Sequence, residues 1–245
     1  MVALSRGRYR ARVASDTSDI EAAQQLRHLA FFGGGVDGLD VDPFDDICTH
    51  ILVEDGASGQ LVCCFRFLTL NGGDEIERSY SAQFYELSAL RAFDGPMVEM
   101  GRFCIHPAFK DADILRVAWG AMTAYVDEKN VEMLFGCSSF AGTDTGEYLD
   151  AFAMLRDRHI APRRWLPKVK APNVFRFAAR LRRKPDPKRA HLRMPPLLRT
   201  YLMMGGWVSD HAVVDPQMNT LHVFTGLEIR AIPPERKRLL RAIAG

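Results

Sequence analysis

The stretch from Met97 to Pro107, Met-Val-Glu-Met-Gly-Arg-Phe-Cys-Ile-His-Pro, constrains the fold of this chain more than any other. Its apolar residues predict a buried strand, yet it carries Glu99 and Arg102. Removing a charge from water costs several kcal/mol or more, so buried charges are paired or put to use. A strand of this content is expected to line a site. It ends at His106-Pro107 and leads through a loop into an amphipathic helix.

The remaining pattern predicts an α/β mixture. Tyr9 to Ala14 reads as a strand. Ser18-Asp19-Ile20-Glu21 has the form of a capping box, and a helix follows to about Ala30, with Ile20, Ala23, Leu26 and Ala30 on one face. Gly33-Gly34-Gly35 ends it, and a loop rich in Asp follows (Asp37, Asp40, Asp42, Asp45, Asp46). Cys48 to Glu54 and Gln60 to Leu68 predict a hairpin, and Ser79 to Phe93 a helix. Ala112 to Asn130 predicts a strong helix, and Glu132 to Cys137 an apolar strand. Ser138 to Asp144 reads as a loop into a helix ending near Arg158. Leu197 to Met204 predicts a short helix closed by Gly205-Gly206, Thr220 to Ile229 a strand, and Glu235 to Ala244 a basic helix.

The net charge of +2 hides an uneven distribution. From Arg163 to Arg199 there are 13 Lys and Arg against one acid, Asp186, while the first two-thirds of the chain is acidic on balance. Such asymmetry is either a solvated basic face or a surface for an anionic partner. The five cysteines show no Cys-x-x-Cys spacing, which fits buried reduced thiols and gives no expectation of zinc. The arginine-rich N-terminus lacks the apolar core of a secretory signal, and no run of about 18 apolar residues is present. The expected location is the cytoplasm, with membrane contact limited to the periphery of the inner face.

Several segments together resemble the GNAT N-acyltransferase superfamily, in the branch of acyl-homoserine lactone synthases and bacterial ornithine N-acyltransferases. They are Arg27 to Phe31 in an Arg-x-x-x-Phe pattern, Asp45-Asp46 leading into a strand, and Phe65-Arg66 on the next. Glu99-Met100-Gly101-Arg102-Phe103 resembles the branch's Glu-x-x-Arg-Phe core. Leu134 to Phe140 and Gly205 to His211 look like the ornithine enzymes in particular. The resemblance covers most of the chain. It implies a GNAT-like fold with a central mixed, twisted sheet flanked by helices. Residues 1–160 are expected to form the acyltransferase core, and 161–245 a basic portion completing the same domain. The implied reaction moves a 3-hydroxy fatty acyl group from acyl carrier protein to the α-amine of L-ornithine. The co-substrate is then a thioester on a phosphopantetheine arm, with no separate cofactor. A lactone synthase and a non-catalytic carrier- or lipid-binding module are the alternatives.

The residue chemistry leaves choices open. Acyl transfer from a thioester needs a neutral amine, a place for the oxyanion and a proton for the leaving thiolate. Glu99 suits the amine proton or the substrate ammonium; alternatively, Glu99 and Arg102 make separate structural ion pairs. Arg102, three residues on, points to the opposite strand face unless the strand bulges, for which Gly101 is the suitable residue. Arg27 suits a substrate carboxylate or a surface ion pair. Asp45 and Asp46 suit a cationic substrate or simple turn chemistry. Arg66 faces the site or an outer sheet face, and Phe31 comes in through the resemblance alone. Ser138 and Ser139 suit an oxyanion, pantetheine or a helix cap.

Coenzyme-A-dependent members of the superfamily carry a glycine-rich turn before the long helix, whose amides cradle the pyrophosphate. Here Pro107 to Ile114 has no glycine and two acids, which favours a carrier-protein donor. The basic region then complements an acidic carrier protein. Its interleaved aromatics and cations, Val174 to Lys184, equally suit an anionic bilayer. Nucleic acid is not expected, since no binding motif accompanies the charge.

Overall fold

Leu61 to Leu70 is apolar except at Arg66 and Thr69, and it forms a ten-residue strand with nearly every side chain buried. Such content recurs in the other long strands, so the framework is a sheet clad with helices. The computed structural model describes residues 3–33 and 38–244; Gly34 and Gly35 at the predicted helix end, and Asp37 of the Asp-rich loop, lie outside them. In chain order the elements are β1 (Ala3–Arg6), β2 (Tyr9–Val13), α1 (Thr17–Phe32), β3 (Thr49–Asp55), β4 (Leu61–Leu70), β5 (Tyr85–Glu86), β6 (Met97–Ile105) and α2 (Ala112–Glu128). There follow β7 (Met133–Ala141), α3 (Leu149–Arg158), β8 (Lys168–Val169), β9 (Val174–Phe175), α4 (Phe177–Arg180), α5 (Pro187–Arg193) and α6 (Pro196–Met203). The chain closes with β10 (Trp207–Val208), β11 (Ala212–Asp215), β12 (Thr220–Glu228) and α7 (Pro234–Ala244).

Two compact units divide the chain, and neither is a continuous stretch. The first comprises Met1–Thr69, Met100–Val131 and Pro234–Gly245. Its strands β1, β2, β3 and β4 pair antiparallel in order, and β4 lies beside β6. At that edge His106 N–H donates to Val62 O at 2.8 Å. Helix α1 buries Ala23 and Leu26 against Leu52, Cys64 and Cys104, with Phe31 partly buried beside them. Its cap is Asp16, not the predicted Ser18: the Asp16 carboxylate accepts from Asp19 N at 3.0 Å. Gly33 ends the helix in a left-handed conformation (φ 63°), its N–H donating to Leu29 O, a geometry glycine adopts without a Cβ penalty. Helix α2 buries Ile114, Val117, Ala121 and Tyr125, and α7 packs on it.

The second unit comprises Leu70–Glu99 and Glu132–Pro233. Met97, Val98 and Glu99 of β6 pair parallel with Met133, Leu134 and Phe135 of β7. Strand β7 then runs antiparallel to β12 along its whole length, and β12 carries β10 and β11. The expected mixed α/β architecture is therefore present. Helices α3, α4, α5 and α6 fill one core with Phe152, Leu155, Phe177, Ala190, Met194 and Leu198.

Two predicted elements are replaced. Ser79 to Phe93 is not a helix but three-residue and five-residue 3-10 turns flanking the short strand β5. Strand β5 pairs with β8, a partner some eighty residues away that local periodicity does not reveal. Ser138 and Ser139 are not in a loop. They continue β7, because β12 keeps pairing with it through Ala141.

Candidate active site

Three acids and three arginines of the first unit form a closed ring of alternating charge. Arg27 Nε lies 2.8 Å from Asp40, and Arg102 Nε lies 3.0 Å from the same carboxylate oxygen. Arg102 Nη2 reaches Asp42 at 2.9 Å, and Arg66 Nη2 meets the same oxygen at 2.7 Å. Arg66 also pairs with Asp45, which returns to Arg27 at 2.7 Å. Gln24 donates to Asp45 at 2.9 Å and Arg27 to the Asp40 carbonyl, adding hydrogen bonds to the buried carboxylate and guanidinium. The opposed charges sum to zero, which is how such a set tolerates removal from water.

Local structure presents these acids. Asp42 caps the 3-10 turn Pro43–Asp46, accepting from Phe44 N, with Pro43 inside the turn and Asp45 at the third position. Arg66 comes from β4 and lies 5.6 Å from the centre of the Phe44 ring. His50, on β3, is neutral at neutral pH because burial pushes its pKa down. Its Nε2–H donates to the Asp45 carbonyl at 3.0 Å.

Several expectations change here. Arg27 is not a surface ion pair: it is 1% exposed and its guanidinium donates to Asp40 and Asp45. Asp45 is buried between Arg27 and Arg66, whereas its neighbour Asp46 is exposed. The left-handed residue of β6 is Arg102 itself (φ 54°), not Gly101. A Cβ at Gly101 would make only ordinary contact with Arg66 at 3.8 Å. The left-handed backbone at Arg102 costs about 1–3 kcal/mol, which its pairing with Asp40 and Asp42 offsets. The local sequence pattern does not mark Asp40, Asp42 or Gln24 as members of a site. An Asp-Pro-x-Asp run was the available signal for Asp42.

Burial pushes the Asp45 carboxyl up, but the Arg27 hydrogen bond and charge, with Gln24 and Arg66, outweigh it and hold it well below the usual range. Asp42 is lowered in the same manner, Arg66 supplying the largest opposing effect. For carboxyls depressed in the folded state, stability is present above the unfolded pKa of about 4 and is lost as pH falls through the folded value. The melting temperature is therefore expected to fall steadily on acidification below about pH 4–5. Thermal melts across that range check this; a flat profile contradicts the ring's assigned energetics.

In the second unit, Glu99 is buried and oriented by a single turn. Its carboxylate accepts from Tyr80 N at 2.7 Å, from Ser81 N at 2.8 Å and from Ser81 Oγ at 2.5 Å. Lys170 Nζ donates to Ala82 O at 2.6 Å and so steadies the same turn. Ser81 Oγ also lies 3.4 Å from Cys137 Sγ. Ser138 is buried and accepts from Thr225 Oγ1 at 2.9 Å, while Ser139 is exposed on β7, opposite His222. The nine predicted site residues thus fall into distinct settings. Arg27, Asp45, Arg66 and Arg102 belong to the ring, and Phe31 to the α1 core. Asp46 and Ser139 are exposed, Ser138 is buried, and Glu99 is held by the turn at Tyr80–Ser81.

Comparison with known proteins adds to this geometry. Residues 27–120 match the acetyltransferase (GNAT) domain family. An L-ornithine N(alpha)-acyltransferase of Rhodobacter capsulatus is 30% identical over 94% of this chain and 93% of its own length. One from Brucella abortus is 28% identical over 92% of this chain and 86% of its own. Among solved structures, the N-acyl amino acid synthase FeeM from uncultured soil microbes superposes with a TM-score of 0.50 at 11% identity, covering 97% of each chain. The acyl-homoserine lactone synthase BjaI has a TM-score of 0.50 at 13% identity, covering 96% of this chain and 88% of its own. These two likenesses concern the fold.

Proposed function

This chain belongs to the GNAT acyltransferases, and we propose that it acylates the α-amine of L-ornithine. The observation that carries this reading is the end-to-end similarity to proteins named L-ornithine N(alpha)-acyltransferase. The donor is a 3-hydroxy fatty acyl thioester on acyl carrier protein, and the products are lyso-ornithine lipid and the free carrier thiol.

An α-amine has a pKa of about 8 and is mostly protonated at neutral pH. Glu99 accepts that proton, directly or through one water, and the neutral amine attacks the thioester carbonyl. The C–S bond breaks as the amide forms, and the thiolate takes up a proton. The donors at Tyr80 and Ser81 fix the orientation of the carboxylate, which keeps it positioned between turnovers. Ser139 is the exposed hydroxyl available to the donor arm.

The start of α2 supports the carrier-protein donor. Asp111 caps the helix by accepting from Asp113 N at 2.9 Å and also accepts from Tyr9 Oη at 3.0 Å. These hydrogen bonds hold its carboxyl below the usual range, so it is charged at neutral pH. A pyrophosphate approaching these amides would meet that negative charge.

The test is turnover by the purified protein with L-ornithine and matched 3-hydroxyacyl thioesters of carrier protein and coenzyme A. Mass spectrometry is expected to find the ornithine amide, with kcat/KM at least about tenfold higher for the carrier thioester. Acylation of a different amino acid in preference to ornithine would remove the acceptor assignment. Faster turnover of the coenzyme A thioester would remove the donor assignment.

A further inference from the structure

We propose that the outer layer of the second unit, α4 to α6, is a docking face for an anionic lipid bilayer. Each of these helices turns one side into the same core: Phe177 from α4, Ala190 from α5 and Leu198 from α6 are fully buried. Their other sides, and the segment between α4 and α5, carry the cations. Arg176, Arg180, Arg182, Lys184, Lys188 and Arg199 are all exposed, and among the described residues no carboxylate lies within ion-pair distance of any of them.

The chain spends other charges on presenting this face. Arg156 of α3 donates to the carbonyls of Leu181 at 2.6 Å and Arg183 at 2.9 Å. Asp150 accepts from Arg183 Nη2 at 2.8 Å and from Asp186 N at 3.0 Å. The backbone of 181–186 is therefore pinned to α3, while Arg182 and Lys184 stand in solvent. A merely solvated loop has no need of this anchoring.

Leu192 decides the class of partner. It is 83% exposed, the most exposed of the large hydrophobic side chains among the described residues. On α5 it neighbours Lys188 and Arg189, four and three positions earlier. A leucine standing among cations suits a bilayer surface, where the ammonium and guanidinium groups meet lipid phosphates and the apolar side chain enters the acyl boundary. An acidic protein partner uses the cations but gives no reason for the leucine. The proposal rests on the ornithine reading for its purpose, because a singly acylated amino acid is an amphiphile that partitions into membrane. Its test uses no turnover, so an error in the acceptor leaves the outcome unchanged.

The full-length protein is incubated with phosphatidylcholine vesicles and with mixed phosphatidylcholine–phosphatidylglycerol vesicles, and bound protein is measured by sedimentation. Binding is expected on the anionic vesicles alone and is expected to vanish when added salt shortens the screening length to about 3 Å. Each cation contributes roughly fivefold, so the triple variant Arg182→Glu, Lys184→Glu, Lys188→Glu should bind about 100-fold more weakly or worse. Leu192→Ser, which leaves every charge in place, should lose roughly tenfold. Equal binding to both vesicle types, or undiminished binding by either variant, overturns the proposal. So does a triple variant that binds vesicles undiminished but no longer binds purified acyl carrier protein, since the face then serves the carrier.

Discussion

Asp45→Ala is expected to lower unfolding stability by about 3–5 kcal/mol, and Asp46→Ala, one position along, by less than about 0.5 kcal/mol. The first leaves Arg27 and Arg66 buried with half of their compensation gone. The second removes an exposed side chain. Denaturant titration of the two variants measures the contrast. Equal losses would mean that the ring is not what anchors α1 to β4. The large penalty does not make the ring a net source of stability: replacing all members of a buried ion network by apolar residues is often neutral. Its effect is on arrangement, since only a matched set of carboxylates satisfies three guanidiniums at once.

Glu99→Gln is expected to reduce kcat by about 10²–10⁴-fold, the range for loss of a positioned base. Glutamine keeps the volume and one acceptor oxygen, so the turn at Tyr80–Ser81 loses part of its support as well. Ser81→Ala separates the two effects. It removes the hydroxyl donor to Glu99 but leaves the carboxylate, and it is expected to keep turnover within about tenfold of the parent while costing about 1 kcal/mol of stability. Matching losses of kcat in the two variants would assign Glu99 to holding the turn, and the base would have to be sought elsewhere.

The sequence made the regular elements plain where one periodicity ran unopposed. Helix α2, strands β4 and β6 and the closing strand β12 fall where alternation or helical spacing predicts them. It failed where distant contacts shape the backbone. The 73–92 region takes 3-10 turns and a two-residue strand, tied down by Glu99 and by β8. Ser138 and Ser139 look like loop residues, because polar side chains end the apolar run before the strand itself ends. At the site, Glu99 and the arginines stood out as charges in apolar company. Asp40 and Asp42 did not, because an acid in an Asp-rich loop acquires significance only when a guanidinium from another strand reaches it.

The charge ring also bears on the order of events in folding. Arg102 and Asp42 are sixty positions apart, and Arg66 and Asp45 twenty-one. The arcs from Arg27 to Asp40 and Asp45 span only thirteen and eighteen positions, but the ring cannot close until Arg102 arrives across the longest loop. Each arc left open strands an uncompensated charge, so the ring has value only when complete. A ring completed by its longest arc is expected to engage late, as a latch. Damage to it should therefore hasten the escape of folded molecules far more than it delays their formation. In a cell, this chain's lifetime before proteolysis would then depend on these six side chains more than on its speed of folding.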